Sequence, residues 1–340
     1  MVFIPHSKPT VSARDIKAVS GILQSGHLAQ GQKVLDFERD MSRYVGVKAG
    51  VAVNSGTSAL HLALLALNIG PRDEVIVPSY VCTALLNAIA YTGAVARIAD
   101  VNADNFNISS SGVKKLLNKN VKAIIVPHMF GYPADLKELL NFGVPIIEDC
   151  AQSIGASYKG RKAGSFGTLS ICSFYATKVM TTGEGGMVLS NQVKLLDRIR
   201  DVREYDHKVT AKVRHNYKMT DFQAALGLSQ LQALPAFLQR RKHIAKIYDH
   251  AFAKKGDRHH IYFRYVVKVK KAKLFIEQLK KKGIGAAAPV FKPLHHYVKG
   301  FSCPVTDQLM GQCVSIPIYP GLTDGQMCHI CNVLPMLMKK

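Results

Sequence analysis

The chain is expected to be an α/β protein built on a doubly wound, mainly parallel sheet, with a smaller α/β piece following it. Three observations predict this. From Val47 to Asn191, short β-branched runs alternate with helix-like segments. After Gln192 the pattern turns helical, and beyond Phe252 one further strand–helix–strand–helix set appears. The length of 340 residues accommodates one large unit and one small one, and the 48% apolar content supports a substantial core.

The expected strands are "VAVN", "EVIVPSY", "AVARIADV", "KAIIVPH", "VPIIEDC", "SICSFY" and "GMVLS". Between them lie "TSALHLALLALN", "CTALLNAIAY", "GVKKLLNKN" and "ADLKELLNF", read as helices. "VPIIEDC" is nearly continuous in apolar residues before its acids, as a strand covered on both faces should be. No helix separates the last two strands, which predicts a hairpin or a mixed edge. Three helices should follow, "VKLLDRIRDVREY", "TDFQAALGLSQLQAL" and "PAFLQRRKHIAKIYDHAF". Thr220 is a natural N-cap, and Pro235 should break the second from the third as the N1 residue of the latter. Next come the strand "HIYFRYVVKVK", the helix "AKLFIEQLKKKG" ending at Gly283, the extended "VSIPIYP" and the terminal helix "TDGQMCHICNVLPMLMKK". The expected division is 10–235 for the large domain and 236–340 for the small one, with 1–9 packed on the latter.

Charge and cysteine content narrow the function classes. The 45 Lys and Arg outnumber 23 Asp and Glu, a formal charge of +22. The lysines are spread from Lys8 to Lys340, and no zinc-finger, RRM or helix-turn-helix string is present. This favours a surface that attracts small anions over a nucleic-acid-binding protein. Seven cysteines, scattered through a chain of this size, do not form a disulfide framework. "CHIC" (Cys328, Cys331) lacks a second pair for zinc and reads as buried apolar cysteines; His259–His260 reads as solvated loop, and no metal set is expected. No run is long and apolar enough to span a bilayer, and "MVFIPHSKPTVSARD" has no signal-peptide pattern, so a cytoplasmic protein without membrane partners is expected.

Three strand ends carry chemistry. "GVAVN" runs into Ser55-Gly56-Thr57-Ser58 at a helix N-terminus, where free amides and hydroxyls suit an anion. "VPIIEDC" ends in Glu148-Asp149. "SFYATKVMTTGEGG" places Lys178 among small and hydroxyl residues, five positions after Ser173 and just before Gly183, Gly185 and Gly186. No G-x-x-x-x-G-K-[ST] or G-x-G-x-x-G string offers a nucleotide-binding alternative. An anion site, a strand-end acid and a sheltered amine are what pyridoxal 5'-phosphate (PLP) requires. The acid favours a protonated ring nitrogen and the amine forms a Schiff base.

At these residues the chain resembles the nucleotide-sugar aminotransferases of the DegT/DnrJ/StrS type, PLP enzymes of aminotransferase fold type I. The resemblance runs in order through "SGHLAQGQKVLDFE", "NSGTSALHLALLAL", "IIEDCAQSIGASYKG", "AGSFGTLSICSFYATKVMTTGEGGMVLSN", "HNYKMTDFQAALGLSQL" and "SIPIYPGLTD". It implies a large domain with a mixed, mainly parallel seven-stranded sheet and a smaller C-terminal α/β domain. It implies Lys178 as the Schiff-base lysine and proton carrier, Asp149 at the ring nitrogen and Gln152 against the ring. Gly56, Thr57, Ser58 and Ser173 would hold the phosphate, with Asn216 reaching that phosphate in a neighbouring subunit of a homodimer with shared sites. The implied reaction moves an amino group from an amino acid, usually glutamate, to a nucleotide-linked keto-deoxyhexose in amino-sugar or polysaccharide biosynthesis. The family's stacking aromatic has no plain counterpart here: the residues are Tyr80-Val81-Cys82, and either Tyr80 or Cys82 covers the ring. His295 and His296 either approach the substrate or are loop residues without chemistry.

The alternatives are a sugar dehydratase or cyclitol aminotransferase of the same family, or a regulatory or nucleic-acid-binding protein. The dehydratases carry histidine at the lysine position, which Lys178 argues against. A regulatory relative would be expected to have lost the lysine or the acid, and both are present.

Overall fold

A computed structural model of the chain describes residues 3–253, 256–257 and 259–338. Its first helix, α1 (Ala13–Ser25), begins with a capping box. The Ser12 hydroxyl accepts the Asp15 amide, and the Asp15 carboxylate accepts the Ser12 amide at 2.7 Å. The second, α2 (Gln32–Val45), starts after Gly31 with no local side-chain cap. A residue remote in sequence does that work. The Asp221 carboxylate accepts the amides of Gly31 (2.8 Å), Val34 (3.0 Å) and Lys33 (3.2 Å). A Cβ on Gly31 would lie 2.8 Å from Asp221 Oδ2, so the approach requires glycine.

The sheet then builds through β1 (Ala49–Val53), α3 (Gly56–Ala66), β2 (Glu74–Pro78), α4 (Ala84–Tyr91), β3 (Val95–Ala99), α5 (Ser110–Leu116), β4 (Val121–Pro127) and β5 (Ile146–Asp149). A two-residue hairpin, β6 (Ser157–Tyr158) and β7 (Arg161–Lys162), precedes β8 (Leu169–Ser173) and β9 (Gly186–Ser190). Seven strands pair in the order β1-β9-β8-β5-β4-β2-β3, and β9 alone runs against the rest. The expected β8–β9 antiparallel pair is present, but not at an edge. β9 is inserted between β8 and β1, and the edges are β1 and β3.

Helix α6 (Val193–Val202) leads to α7 (Asp221–Ala251), which begins at a Thr220–Gln223 capping box. Pro235 does not break it. The lost amide costs one ladder bond, but Ala224 and Leu234 are buried in one core and Ile244, Ala245 and Tyr248 in another, so packing holds the helix across the proline. "ADLKELLNF" is also different from the expectation: only a 3₁₀ turn, Leu139–Phe142, forms there. The Asp135 carboxylate accepts the Lys137 amide at 3.0 Å, a local turn bond that competes with a helical start.

The C-terminal portion holds β10 (Tyr265–Lys268), α8 (Ala272–Lys281), α9 (Pro304–Gln312), β11 (Cys313–Ile316) and α10 (Asp324–Met338), with β10 and β11 antiparallel. Ile4 joins its core, the Ile4 amide donating to Gly283 O (2.8 Å) and Ile4 O accepting from Gly285 (2.7 Å). Two smaller expectations fail here. Cys328 is exposed on α10 rather than buried. His260 is half-buried rather than solvated, stacked on Tyr262 at 4.2 Å between ring centres. Among the described residues, no helix is long and apolar enough to cross a membrane.

Asp221→Ala should strip three helix-start amides of their acceptor and lower stability by about 1–3 kcal/mol. Urea denaturation should show a lower midpoint with unchanged slope; an unmoved midpoint would remove Asp221 from the account of α2.

Candidate active site

The candidate site lies where β1, β5 and β8 end. Gly186 of β9 pairs with Val53 of β1 on one side and Ser173 of β8 on the other, so three strand ends share one row. The chain leaving β1 turns at Ser55, whose hydroxyl caps α3 by accepting the Ser58 amide at 3.0 Å. The amide of Ala59 goes to Ser55 O. Gly56 and Thr57 are left at the helix start with no protein acceptor for their amides among the described residues. A Cβ on Gly56 would lie 2.8 Å from Ser173 Cβ, so this helix start and the Ser173 side chain form one concave wall. Ser58 follows in the first turn of α3. Its hydroxyl donates to Asn54 Oδ1 (2.7 Å), so the wall presents the two amides, Thr57 and Ser173.

Lys178 lies in the connection from Phe174 to Gly185. The hydroxyls around it brace the loop: Thr181 Oγ1 donates to Phe174 O (3.1 Å), and the amides of Thr182 and Phe174 close the bracket onto Phe174 O and Gly185 O (2.9 Å each). Gln230 of α7 accepts the Thr181 amide and donates to Asp15 of α1, fastening the loop to two helices. Of the three glycines, Gly183 supplies a left-handed turn (φ +80), whereas Gly185 and Gly186 allow close packing. The amine itself has no hydrogen bond among the described residues and sits 5.4 Å from the centre of the Phe263 ring.

The neighbouring acids Glu148 and Asp149 differ in surroundings. Glu148 is fully buried and accepts His128 Nε2 (3.0 Å) and the amides of Gly164 (2.8 Å), Phe166 and Gly167 (2.7 Å each). Burial pushes its carboxyl up, but the His128 bond and the backbone amides outweigh that and hold it below the usual range. His128 Nδ1 accepts the Ala134 amide (3.0 Å), so the neutral Nε2–H imidazole satisfies both contacts. Asp149 accepts only the Ala151 amide, at Oδ1 (2.9 Å), leaving Oδ2 without a hydrogen bond among the described residues. Burial raises its pKa, opposed by the Ala151 amide, Lys178 and His128. The Lys178 amine is held below the ordinary lysine range, first by burial and also by Arg264, while Cys82 and Asp149 pull it back up.

The remaining expected residues fall around this centre. Gln152 Oε1 accepts the amide of Phe130, a residue held at φ +57. Asn216 is exposed, and its backbone oxygen accepts from Asn54 Nδ2 (3.2 Å) at the end of β1. Tyr80 is fully buried, packed against Phe106 and Phe130. Cys82 is exposed and electrostatically linked to Lys178 and Asp149, so the thiol faces the site. His295 lies beside Ser79 at the end of β2. Two residues escaped the sequence reading. Phe263 walls the amine, and Arg264 stands 5.1 Å from the same ring centre with no acidic partner among the described residues. The "YFRYVV" stretch shows both, but only packing shows which way they face.

Against known proteins, the model of the DegT/DnrJ/EryC1/StrS aminotransferase family matches residues 9–335. The chain belongs to that family. It is 33% identical to a GDP-perosamine synthase of Escherichia coli O157:H7, over 98% of each chain. Among solved structures, the aminotransferase TlmJ of Streptoalloteichus hindustanus superposes with a TM-score of 0.91 at 29% identity, covering 97% of both chains. A Streptococcus pneumoniae chain solved in its PLP-form superposes at 0.92, with 26% identity and 99% of each chain covered. The protein is a PLP-dependent aminotransferase of fold type I.

This chain's residues fit the cofactor. The wall of free amides, Thr57 and Ser173 suits a phosphate, the unshared Asp149 Oδ2 suits a protonated ring nitrogen, and Lys178, electrostatically linked to Asp149, supplies an amine without a hydrogen bond among the described residues.

A lowered lysine pKa means that, at a given pH, a larger share of the amine is in its nucleophilic form than for a surface lysine. The rate at which PLP becomes borohydride-trappable on the Lys178 peptide should therefore rise with pH and level off below the plateau of surface lysines. Asp149→Asn removes a charge that raises the amine's pKa and should move the plateau lower still. A wild-type profile climbing into the ordinary lysine range would contradict this electrostatic account.

Proposed function

We propose that this aminotransferase transfers an amino group from an amino acid, glutamate in the simplest case, to a nucleotide-linked keto-deoxyhexose. The observation that carries the reading is the meeting of one unpaired amine, one half-satisfied carboxylate and one anion wall at adjacent strand ends. When bound, PLP supplies an aldehyde for amine exchange and a ring that withdraws electrons. Lys178 anchors it, then takes and returns the proton at the carbon undergoing exchange, as its lowered pKa allows. Asp149 holds the ring nitrogen protonated. Gly56, Thr57 and Ser173 orient the phosphate, with Ser58 securing the turn behind them. Gln152, fixed through Phe130, borders the ring, and Cys82 covers its face.

Two further features support the substrate reading. A chain of net charge +22 draws an anionic nucleotide sugar, and the similar GDP-perosamine synthase carries a nucleotide sugar in its name. Arg264, lacking an acid, is suited to the donor's carboxylate. We assign the division between the domains to Pro235–Ala236, within α7. Asn216 and the exposed Val209 and Val213 belong to one loop that, in a homodimer, would reach the partner's phosphate site. The protein is taken to act in the cytoplasm.

Lys178→Ala should still bind PLP without covalent attachment and should lose transamination by at least about a thousandfold, the scale of losing a proton carrier and covalent anchor together. In wild-type protein, the aminated cofactor should return to its aldehyde spectrum on addition of a nucleotide-linked keto sugar, with stoichiometric amino-sugar product. Full turnover by the variant would remove Lys178 from the mechanism, and no response to any nucleotide-linked keto sugar would overturn the substrate class.

A further inference from the structure

Away from the cofactor wall, one group of side chains has ligand chemistry that transamination does not use. The 3₁₀ turn Leu294–His296 docks against the end of β2, the Leu294 amide donating to Ser79 O at 2.9 Å. Facing it is Asp307, in the first turn of α9. Asp307 Oδ1 lies 3.2 Å from His295 Nε2 and is hydrogen-bonded to His296 Nε2 at 3.0 Å, and the three ligand atoms all lie within 4.8 Å of one another. Ligands placed about 2.0–2.1 Å from a tetrahedral zinc ion are separated from each other by roughly 3.3 Å. The two spacings to Asp307 are close to that edge.

The hydrogen bonding of His295 favours a cation over a simple contact. Its side chain is only 6% exposed, and Nδ1 is 2.6 Å from Ser79 Oγ. Ser79 Oγ also accepts the His295 amide at 3.4 Å. With Nδ1 as the donor to Ser79 Oγ, Nε2 carries a lone pair. That Nε2 is buried without a hydrogen bond, although a carboxylate oxygen is 3.2 Å away. Its axis therefore misses the oxygen, as expected of two ligands aimed at a common third point. A neutral imidazole oriented by a bond from its other nitrogen is the usual arrangement of a metal-ligating histidine. The His128–Glu148–Cys150 group is different: both imidazole nitrogens and both carboxylate oxygens are already occupied.

We propose that His295, His296 and Asp307 form a three-ligand site for a divalent ion of the zinc, cobalt or nickel class. Two imidazoles and one carboxylate favour these ions over magnesium or calcium. His296 and Asp307 are about half exposed, at 47% and 51%, so the ion can enter from solvent and keep water on its open side. The ion joins the 294–296 turn to α9 and, through Ser79, to the strand-to-helix turn that carries Cys82. Its part is to fasten the rim of the active site, separate from the amine chemistry at Lys178.

The test uses the untagged full chain loaded with PLP and freed of metal by a chelator. Calorimetric titration with Zn²⁺ should show one saturable site with micromolar or tighter affinity, and Co²⁺ should give the visible bands of a low-symmetry nitrogen–oxygen site. Asp307→Asn and His296→Ala, both at exposed positions, should each weaken binding at least tenfold. Cys328→Ser should leave it unchanged. Zn²⁺ should raise the melting temperature of wild-type protein but not of Asp307→Asn. Absence of saturable binding would overturn the proposal and leave these side chains an ion pair. Binding that survives loss of both Asp307 and His296, or that disappears with Cys328, would place any ion elsewhere and overturn it equally.

Discussion

The approach of Gly186 to the turn after β1 is the contact on which the site depends. A Cβ at Gly186 would lie 2.8 Å from the Gly56 nitrogen and closer still to the Ser55 carbonyl. Only a residue without a side chain lets β9 run antiparallel between β1 and β8 while the two flanking strand ends remain level. Because they do, the first amides of α3 and the Ser173 side chain face the same space. A larger residue would separate the anion wall from the strand end that leads to Lys178.

Around that contact, the structure treats equivalent groups unequally. Adjacent acids on β5 point to opposite faces, as alternation along a strand demands. Glu148 is saturated by four donors and held ionised, a structural charge in a dry interior. Asp149 keeps one oxygen uncommitted. The lysine amine is likewise left without a hydrogen bond among the described residues. Burying such unpaired groups is costly, and the bracing of the Phe174–Gly185 loop by Thr181, Thr182 and Gln230 is what holds them in place.

Much of this was legible in the sequence. The strands, the seven-stranded sheet and the positions of Asp149 and Ser173 at strand ends, with Lys178 in the loop that follows, are expected from periodicity, strand ends and family motifs, all local in the chain. What was not legible depends on long-range packing. Asp221 caps α2 across almost the entire large sheet region in sequence, and Pro235 sits inside α7 because two cores grip that helix. Tyr80 and Cys82 looked interchangeable until the turn after β2 sent the tyrosine inward to Phe106 and Phe130. Phe263 and Arg264 reach the site only because the segment before β10 folds back over it, the Arg264 amide bonding to Phe130 O at 3.2 Å. The meeting of Asp307 with a histidine pair is of the same kind.

The central claim is that backbone proximity at Gly186 creates the phosphate wall. The most direct test is the PLP dissociation constant of Gly186→Ala, measured beside wild type on protein whose circular dichroism confirms a folded chain. The claim predicts a loss of tenfold or more, about 1.4 kcal/mol or greater. Wild-type affinity in the folded variant would contradict it.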